Sequence, residues 1–151
     1  MKTDSIKQLE GYTDHIKEIE VLQKYGDERT LQKGQVMDAI NMLHPKFIDL
    51  KVARVIKETD STSTLRLVPR KGYLPPFQAG QYINVFVQIK HIQTSRPYSI
   101  SSAPSQTGFY DITVRRIDNG FVSSYLTQQV QVGDSLISTS PTGNFYYNPL
   151  F

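Results

Sequence analysis

Apolar residues recur at helical intervals before Pro45 and at alternate positions after it. In the front segment Ile16, Ile19, Leu22 and Tyr25 fall on one helical face. Thr13-Asp14 can cap that run, and Gly26 stands where a helix stops. A second run gathers Val36, Met37, Ile40 and Leu43 and ends at Pro45. A short turn around Ile6 and Leu9 precedes both. Helices of this length are marginal alone in water, so their apolar stripes are expected to dock on a neighbouring surface.

Beyond Pro45 the pattern predicts strands. Ile83, Val85, Val87 and Ile89 alternate with polar neighbours, the clearest period of two in the chain. Leu65 and Leu67 do the same, as do Tyr110, Ile112 and Val114. Segments 48–57, 98–102 and 135–140 complete the set of about six. Turn residues separate them, among them Lys71-Gly72, Ala79-Gly80, Asn119-Gly120 and Gly133-Asp134. One helix interrupts the strands, with Phe121, Val122, Tyr125, Leu126 and Val130 at helical spacing. The expected fold class is therefore mainly β, an antiparallel barrel or sandwich, with a helical extension over residues 1–45 and a β domain over 46–151.

Charge follows the same division. Residues 1–45 carry a net −2 and residues 46–151 a net +5, within a total of +3. The basic residues of the second part are scattered, which suits a phosphate-bearing small ligand or an acidic protein better than nucleic acid. The chain has 151 residues and no cysteine, which excludes disulfides, thiolate metal sites and a cysteine-held iron–sulfur cluster within it. No apolar run approaches the ~20 residues that span a bilayer, and the N-terminus lacks an apolar signal core. The expected setting is cytoplasmic.

Much familiar machinery is missing. The glycines never fall two apart, so no G-x-G-x-x-G fingerprint exists. There is no P-loop and no G-x-S-x-G elbow. His15, His44 and His91 lack metal-ligand spacing, so no metal site is expected. Any chemistry here is expected to come from a cofactor.

Residues 94–104 hold the most specific information. Pro97 cannot donate to a ladder, so its strand belongs at an edge, a start or a bulge. Arg96 and Tyr98 are two apart and share a face. A guanidinium fork suits phosphate oxygens, and a tyrosine ring suits a flat heteroaromatic system. Strict alternation turns Ser99 to the other face. Further on, Arg115-Arg116 leads through Gly120 to a helix that Ser123 is placed to cap, which makes an anion site. Pro141-Thr142-Gly143-Asn144-Phe145 follows the last strand as a turn.

Four segments in this order resemble one family: Phe77-Gln78-Ala79-Gly80-Gln81-Tyr82, Arg96-Pro97-Tyr98-Ser99, Gly120-Phe121-Val122-Ser123, and Pro141-Thr142-Gly143-Asn144-Phe145. Over about residues 47–147 the chain resembles the FAD-binding barrel of the ferredoxin–NADP reductase superfamily. The resemblance implies a six-stranded antiparallel Greek-key barrel with one capping helix. It implies FAD as cofactor, with FMN as the alternative. Carried over residue by residue, it implies that Arg96 and Pro97 belong to the flavin-binding strand, with Arg96 on the pyrophosphate. Tyr98 would stack on the flavin ring, and Ser99 would lie near the ring position that accepts hydride. These two are the catalytic candidates. Arg115 would anchor the phosphate or ribityl end. Gly120, Val122 and Ser123 would bring donors to the pyrophosphate.

The resemblance also implies an NAD(P)H-binding domain, in cis or in trans, which residues 46–151 do not contain. The chain is then expected to be part of a longer reductase. Electrons would pass from NAD(P)H through the flavin to an iron–sulfur protein or another one-electron acceptor. No nucleic-acid partner and no membrane span are expected. The competing expectation is a non-enzymatic OB-like or translation-factor-like barrel that binds nucleic acid or protein through Tyr82, Phe86 and Tyr98.

Overall fold

A computed structural model describes residue 20 and residues 34–146. The expected helix around Ile16 to Tyr25, its caps and the turn at Ile6 and Leu9 lie outside those residues, residue 20 apart. The chain divides into two compact units, Met1–Met42 and Leu43–Phe151. In the first, residues 34–42 are helical, in a helix (α1) that runs on to residue 43. Val36, Met37 and Ile40 form its apolar stripe, and they are exposed.

The second unit contains β1 (Phe47–Thr59), β2 (Thr62–Pro69), β3 (Tyr82–Ile89), β4 (Ile92–Ser99), β5 (Tyr110–Arg115), α2 (Phe121–Gln128) and β6 (Ser135–Thr139). The strands form one antiparallel sheet in the order β4-β3-β6-β1-β2-β5. The sheet curls until its two edges touch at a single bridge, Ile100 to Ile112. This is the expected six-stranded antiparallel barrel, open along most of the β4–β5 seam.

Alternation builds the core. Ile48, Leu50 and Val52 of β1 point inward, with Leu65 and Leu67 of β2, Ile83 and Val85 of β3, and Ile112 and Val114 of β5. Burying each such side chain stabilises the fold by about 1.5–3 kcal/mol before entropy is counted. Helix α2 adds Val122 and Leu126 to the same core. The β2–β3 connection adds Leu74 and Phe77; the Phe77 ring meets Tyr110 edge-on at 5.5 Å, and the Tyr110 hydroxyl donates to the Pro75 carbonyl.

One strand differs from expectation. β4 spans Ile92–Ser99 rather than 98–102. Lys90 adopts φ 55° and, with His91, makes a two-residue hairpin turn, so Ile92 pairs straight back with Ile89. No glycine or asparagine marks that turn, and the sequence therefore hides it. Among the described residues no helix is long and apolar enough to cross a membrane.

Candidate functional site

Strand β4 lies at the edge of the sheet, as Pro97 requires. Its register with β3 places Arg96 opposite Val85 and Tyr98 opposite Ile83. Opposed residues share a face, and Ile83 and Val85 are fully buried. Arg96 and Tyr98 therefore stand together on the inner face of a strand whose wall is open. Tyr98 is half-buried and packs on the core, while Arg96 is exposed. The Arg96 Nη1 donates to Thr94 Oγ1 at 3.0 Å and to the Ser95 carbonyl at 2.7 Å. Burial pushes the Tyr98 phenol above its ordinary range, and the Arg96 cation partly opposes the shift. The phenol stays neutral and able to donate at neutral pH.

The register runs from Tyr82–Ser99 to Ile89–Ile92 without interruption, so Pro97 makes no bulge. The Ser99 side chain lies on the face away from Tyr98. Its backbone does not. Tyr82 spends its N–H and C=O on Thr142 at 3.0 and 2.9 Å, and the Ile100 N–H donates to the Gln81 carbonyl at 3.1 Å. Alternation then turns the Ser99 N–H and C=O toward the β5 side. The Ile100–Ile112 bridge takes the Ser101 N–H to the Asp111 carbonyl at 2.7 Å and, on its other side, the Thr113 N–H to the Ser99 carbonyl; beyond it the β4–β5 ladder ends, and the Ser99 N–H is left facing the seam. A gap in the pairing is left between the two edges.

On the outward face of β2 and β5, beside the seam, polar side chains tie the strands together. The Arg66 guanidinium donates to both carboxylate oxygens of Asp111, at 2.9 and 2.8 Å, and stacks 3.7 Å from the Phe109 ring centroid. That contact raises the Arg66 pKa further, mainly through the hydrogen bond to Asp111. Hydroxyls of Thr64, Thr113 and Ser101 link in series at 2.9 and 3.0 Å. In the sequence Arg66 is one of the scattered cations of the second part. Its partner is 45 residues away, and the pairing emerges only once the β2–β5 register is known.

The other side of the gap leads from Arg115, which is exposed at the end of β5, into α2. Gly120, not Ser123, is the N-cap of α2, and no side chain caps the helix. Ser123 is the third helical residue. Its Oγ accepts from the Ile117 N–H at 3.2 Å and lies 3.5 Å from the Gly120 carbonyl, so it closes the preceding loop. The expected cap is thus corrected: the helix starts too early for Ser123 to play that part. The first-turn N–H groups stay open as anion donors, with no acidic side chain beside them. Val122 is buried, so only its backbone can serve a ligand. Gly120 is required sterically, because a Cβ there would lie 2.3 Å from Ser123 Oγ and 2.8 Å from the Ile117 carbonyl oxygen.

This geometry fits a flat ring attached to a phosphate chain. Residues 49–147 match the family of oxidoreductase FAD-binding domains. The chain belongs to that family.

Other segments of this FAD-binding domain brace the site from behind. Gln81 fixes the turn before β3, donating through its backbone to the Gln78 carbonyl at 3.0 Å and accepting the Gln78 N–H at 2.9 Å. Gly143, at φ 112°, lies where a Cβ would come 3.0 Å from the Tyr82 ring. Similar proteins include the phenol hydroxylase P5 protein of Acinetobacter pittii, 35% identical over 95 residues, 62% of this chain and 26% of that protein. The NADH oxidoreductase HCR of Escherichia coli is 38% identical over 96 residues, 64% of this chain and 29% of that protein. Among solved structures, the flavohem-like FAD/NAD-binding domain of nitric oxide dioxygenase from Vibrio cholerae superposes with a TM-score of 0.62 at 35% identity, covering 67% of this chain and 46% of that one. Phthalate dioxygenase reductase superposes with a TM-score of 0.61 at 27% identity, covering 68% and 32%. The chain spans between a quarter and a third of the length of these curated relatives.

Proposed function

We propose that this FAD-binding domain serves an oxidoreductase that takes electrons from NAD(P)H and delivers them to an iron–sulfur protein or another one-electron acceptor. Residues 46–151 are the flavin barrel and residues 1–45 an extension. The nicotinamide site belongs to a domain outside the barrel, in cis or in trans, and the exchange takes place in the cytoplasm. The observation that carries the reading is the open β4–β5 seam, with Arg96 and Tyr98 on one edge and Arg115 and the uncapped α2 on the other.

In this reading Arg96 pairs with the pyrophosphate, each charge-assisted bond contributing about 1.5–3 kcal/mol. Tyr98 supplies a stacking surface, and Pro97 keeps its strand at the edge. Ser99 offers its backbone N–H to the rim of the ring system. Arg115 neutralises the phosphate or ribityl end. Val122 and Ser123 contribute backbone N–H donors at the start of α2, and Gly120, whose own N–H goes to the Ile117 carbonyl at 2.8 Å, lets the chain approach the pyrophosphate without a Cβ. FAD, when bound, supplies the hydride and single-electron chemistry. The protein binds it, orients it and keeps the Tyr98 phenol protonated beside it.

The test is spectroscopic. The purified chain is expected to carry, or to take up, one equivalent of FAD with a structured visible spectrum. Arg96→Ala should lose most of the flavin on desalting, whereas Arg54→Ala, at an exposed position of β1, should keep it. A colourless chain that refuses added FAD, or equal retention in both variants, overturns the reading.

A further inference from the structure

The outward faces of β1, β3 and β6 carry a feature the flavin site does not use. Phe47, Phe86 and Ile137 are 51%, 36% and 46% exposed on adjacent strands. Phe86 stands opposite Ile137 in the β3–β6 register, and Ile137 opposite Asp49 in the β1–β6 register. The Phe47 and Phe86 rings meet edge-on at 5.5 Å. Together they floor an open groove of about 670 Å³, whose far wall is the β3–β4 hairpin at Gln88, Gln93 and Ser95. In β4, Ser95 and Gln93 point away from the face that holds Arg96 and Tyr98, so the groove is separate from the seam.

Cations stand around it. Lys46 Nζ lies 5.5 Å from the Phe47 ring centroid. Lys51 pairs with Ser135, one step along the same face from the Asp49–Ile137 pair. Arg70 reaches that point too, donating to Ser135 Oγ at 3.0 Å. Asp49 is the one acid lining the groove among the described residues.

We propose that this face docks a protein partner through an acidic surface segment with an apolar side chain at its centre, the apolar group entering between Phe47, Phe86 and Ile137. An outward sheet face is ordinarily polar, and three neighbouring apolar side chains in a concavity mark an interaction site. The cationic rim selects the sign of the partner. It also argues against a second copy, since two such rims would face each other with like charge. A lipid surface suits the groove less well, because the apolar floor is recessed and one wall is lined by amide and hydroxyl side chains.

The probe is the synthetic peptide Asp-Glu-Asp-Phe-Glu-Asp, added to the labelled, flavin-saturated full chain and followed by amide NMR. Saturable shifts are expected at residues 47–51, 86–88 and 135–137, with the Arg96–Ser99 amides unmoved. The Asn/Gln counterpart of the peptide should bind at least about tenfold more weakly, and so should the acidic peptide with Lys51→Glu or Phe86→Ser. Flavin content, measured in the same samples, should be equal in all variants. No binding, shifts at the seam instead, or equal binding of the two peptides overturns the proposal. So does a response to phosphatidylserine–phosphatidylcholine vesicles in place of the peptide, which would make the face a membrane surface. Shifts that grow with the concentration of the chain alone would assign it to self-association and also overturn it.

Discussion

Tyr98 and Tyr110 are both held protonated by burial, Tyr98 against the Arg96 cation and Tyr110 with a further push from Tyr73. A raised phenol pKa means that the folded chain holds the proton more tightly than the unfolded one. The associated stability is full below the ordinary phenol value of about 10 and is lost as pH climbs through the folded values. An alkaline absorbance titration should therefore show two tyrosines ionising late and together with unfolding. Their release in step with the exposed tyrosines would contradict the burial. Gly120 makes a second residue-scale prediction. A Cβ there collides with Ser123 Oγ and the Ile117 carbonyl, so Gly120→Ala should displace the loop before α2. Destabilisation of about 1–3 kcal/mol in urea is expected, with loss of flavin uptake beyond what instability explains. The sequence marked Gly120 and Ser123 together, but only coordinates separate their work: one is the N-cap, the other ties the loop.

At the scale of elements, the two edges of the barrel meet at one short stretch around a single bridge. Ile112 is fully buried and forms the bridge to Ile100. Ile112→Ala should cost about 2–5 kcal/mol and loosen the seam. Hydrogen exchange should then quicken at Ser101, whose N–H donates to the Asp111 carbonyl at 2.7 Å. Unchanged exchange there would show that the seam is held elsewhere. The turn before β3 offers a second case. Gly80 has φ 100°, and a Cβ on it would lie 2.1 Å from the Phe145 carbonyl oxygen. Gly80→Ala should lower the melting temperature and free the segment after β6, seen as faster proteolysis near Phe145. Period-two alternation made β3 and β5 legible, because one face of each is buried. β4 starts earlier than its sequence suggests, since seven of its eight residues, Gln93–Ser99, are polar or proline and its turn uses Lys90-His91. An edge strand beside an open seam has no full core face to write a pattern.

For the whole molecule, a ligand that binds only the folded chain must stabilise it by mass action. FAD at a hundredfold excess over its dissociation constant should add about 2.7 kcal/mol, read as a concentration-dependent rise in melting temperature. Riboflavin lacks the phosphates that Arg96 and the start of α2 are proposed to hold, and it should give far less. Equal stabilisation by both would remove the phosphate half of the site.

The sequence by itself determined the β character of the chain after Pro45, the absence of thiolate groups and of a G-x-G-x-x-G fingerprint, and the motifs by which the chain resembles a flavin-binding barrel. These are local matters of alternation, residue type and motif. The tertiary structure decided what depends on register. It left the seam unpaired, turned the Ser99 N–H rather than its side chain toward it, and paired Arg66 with Asp111. It also gathered Phe47, Phe86 and Ile137 from three strands into one groove. Neighbours across a sheet are set by strand order, and a chain written in one dimension does not contain that order.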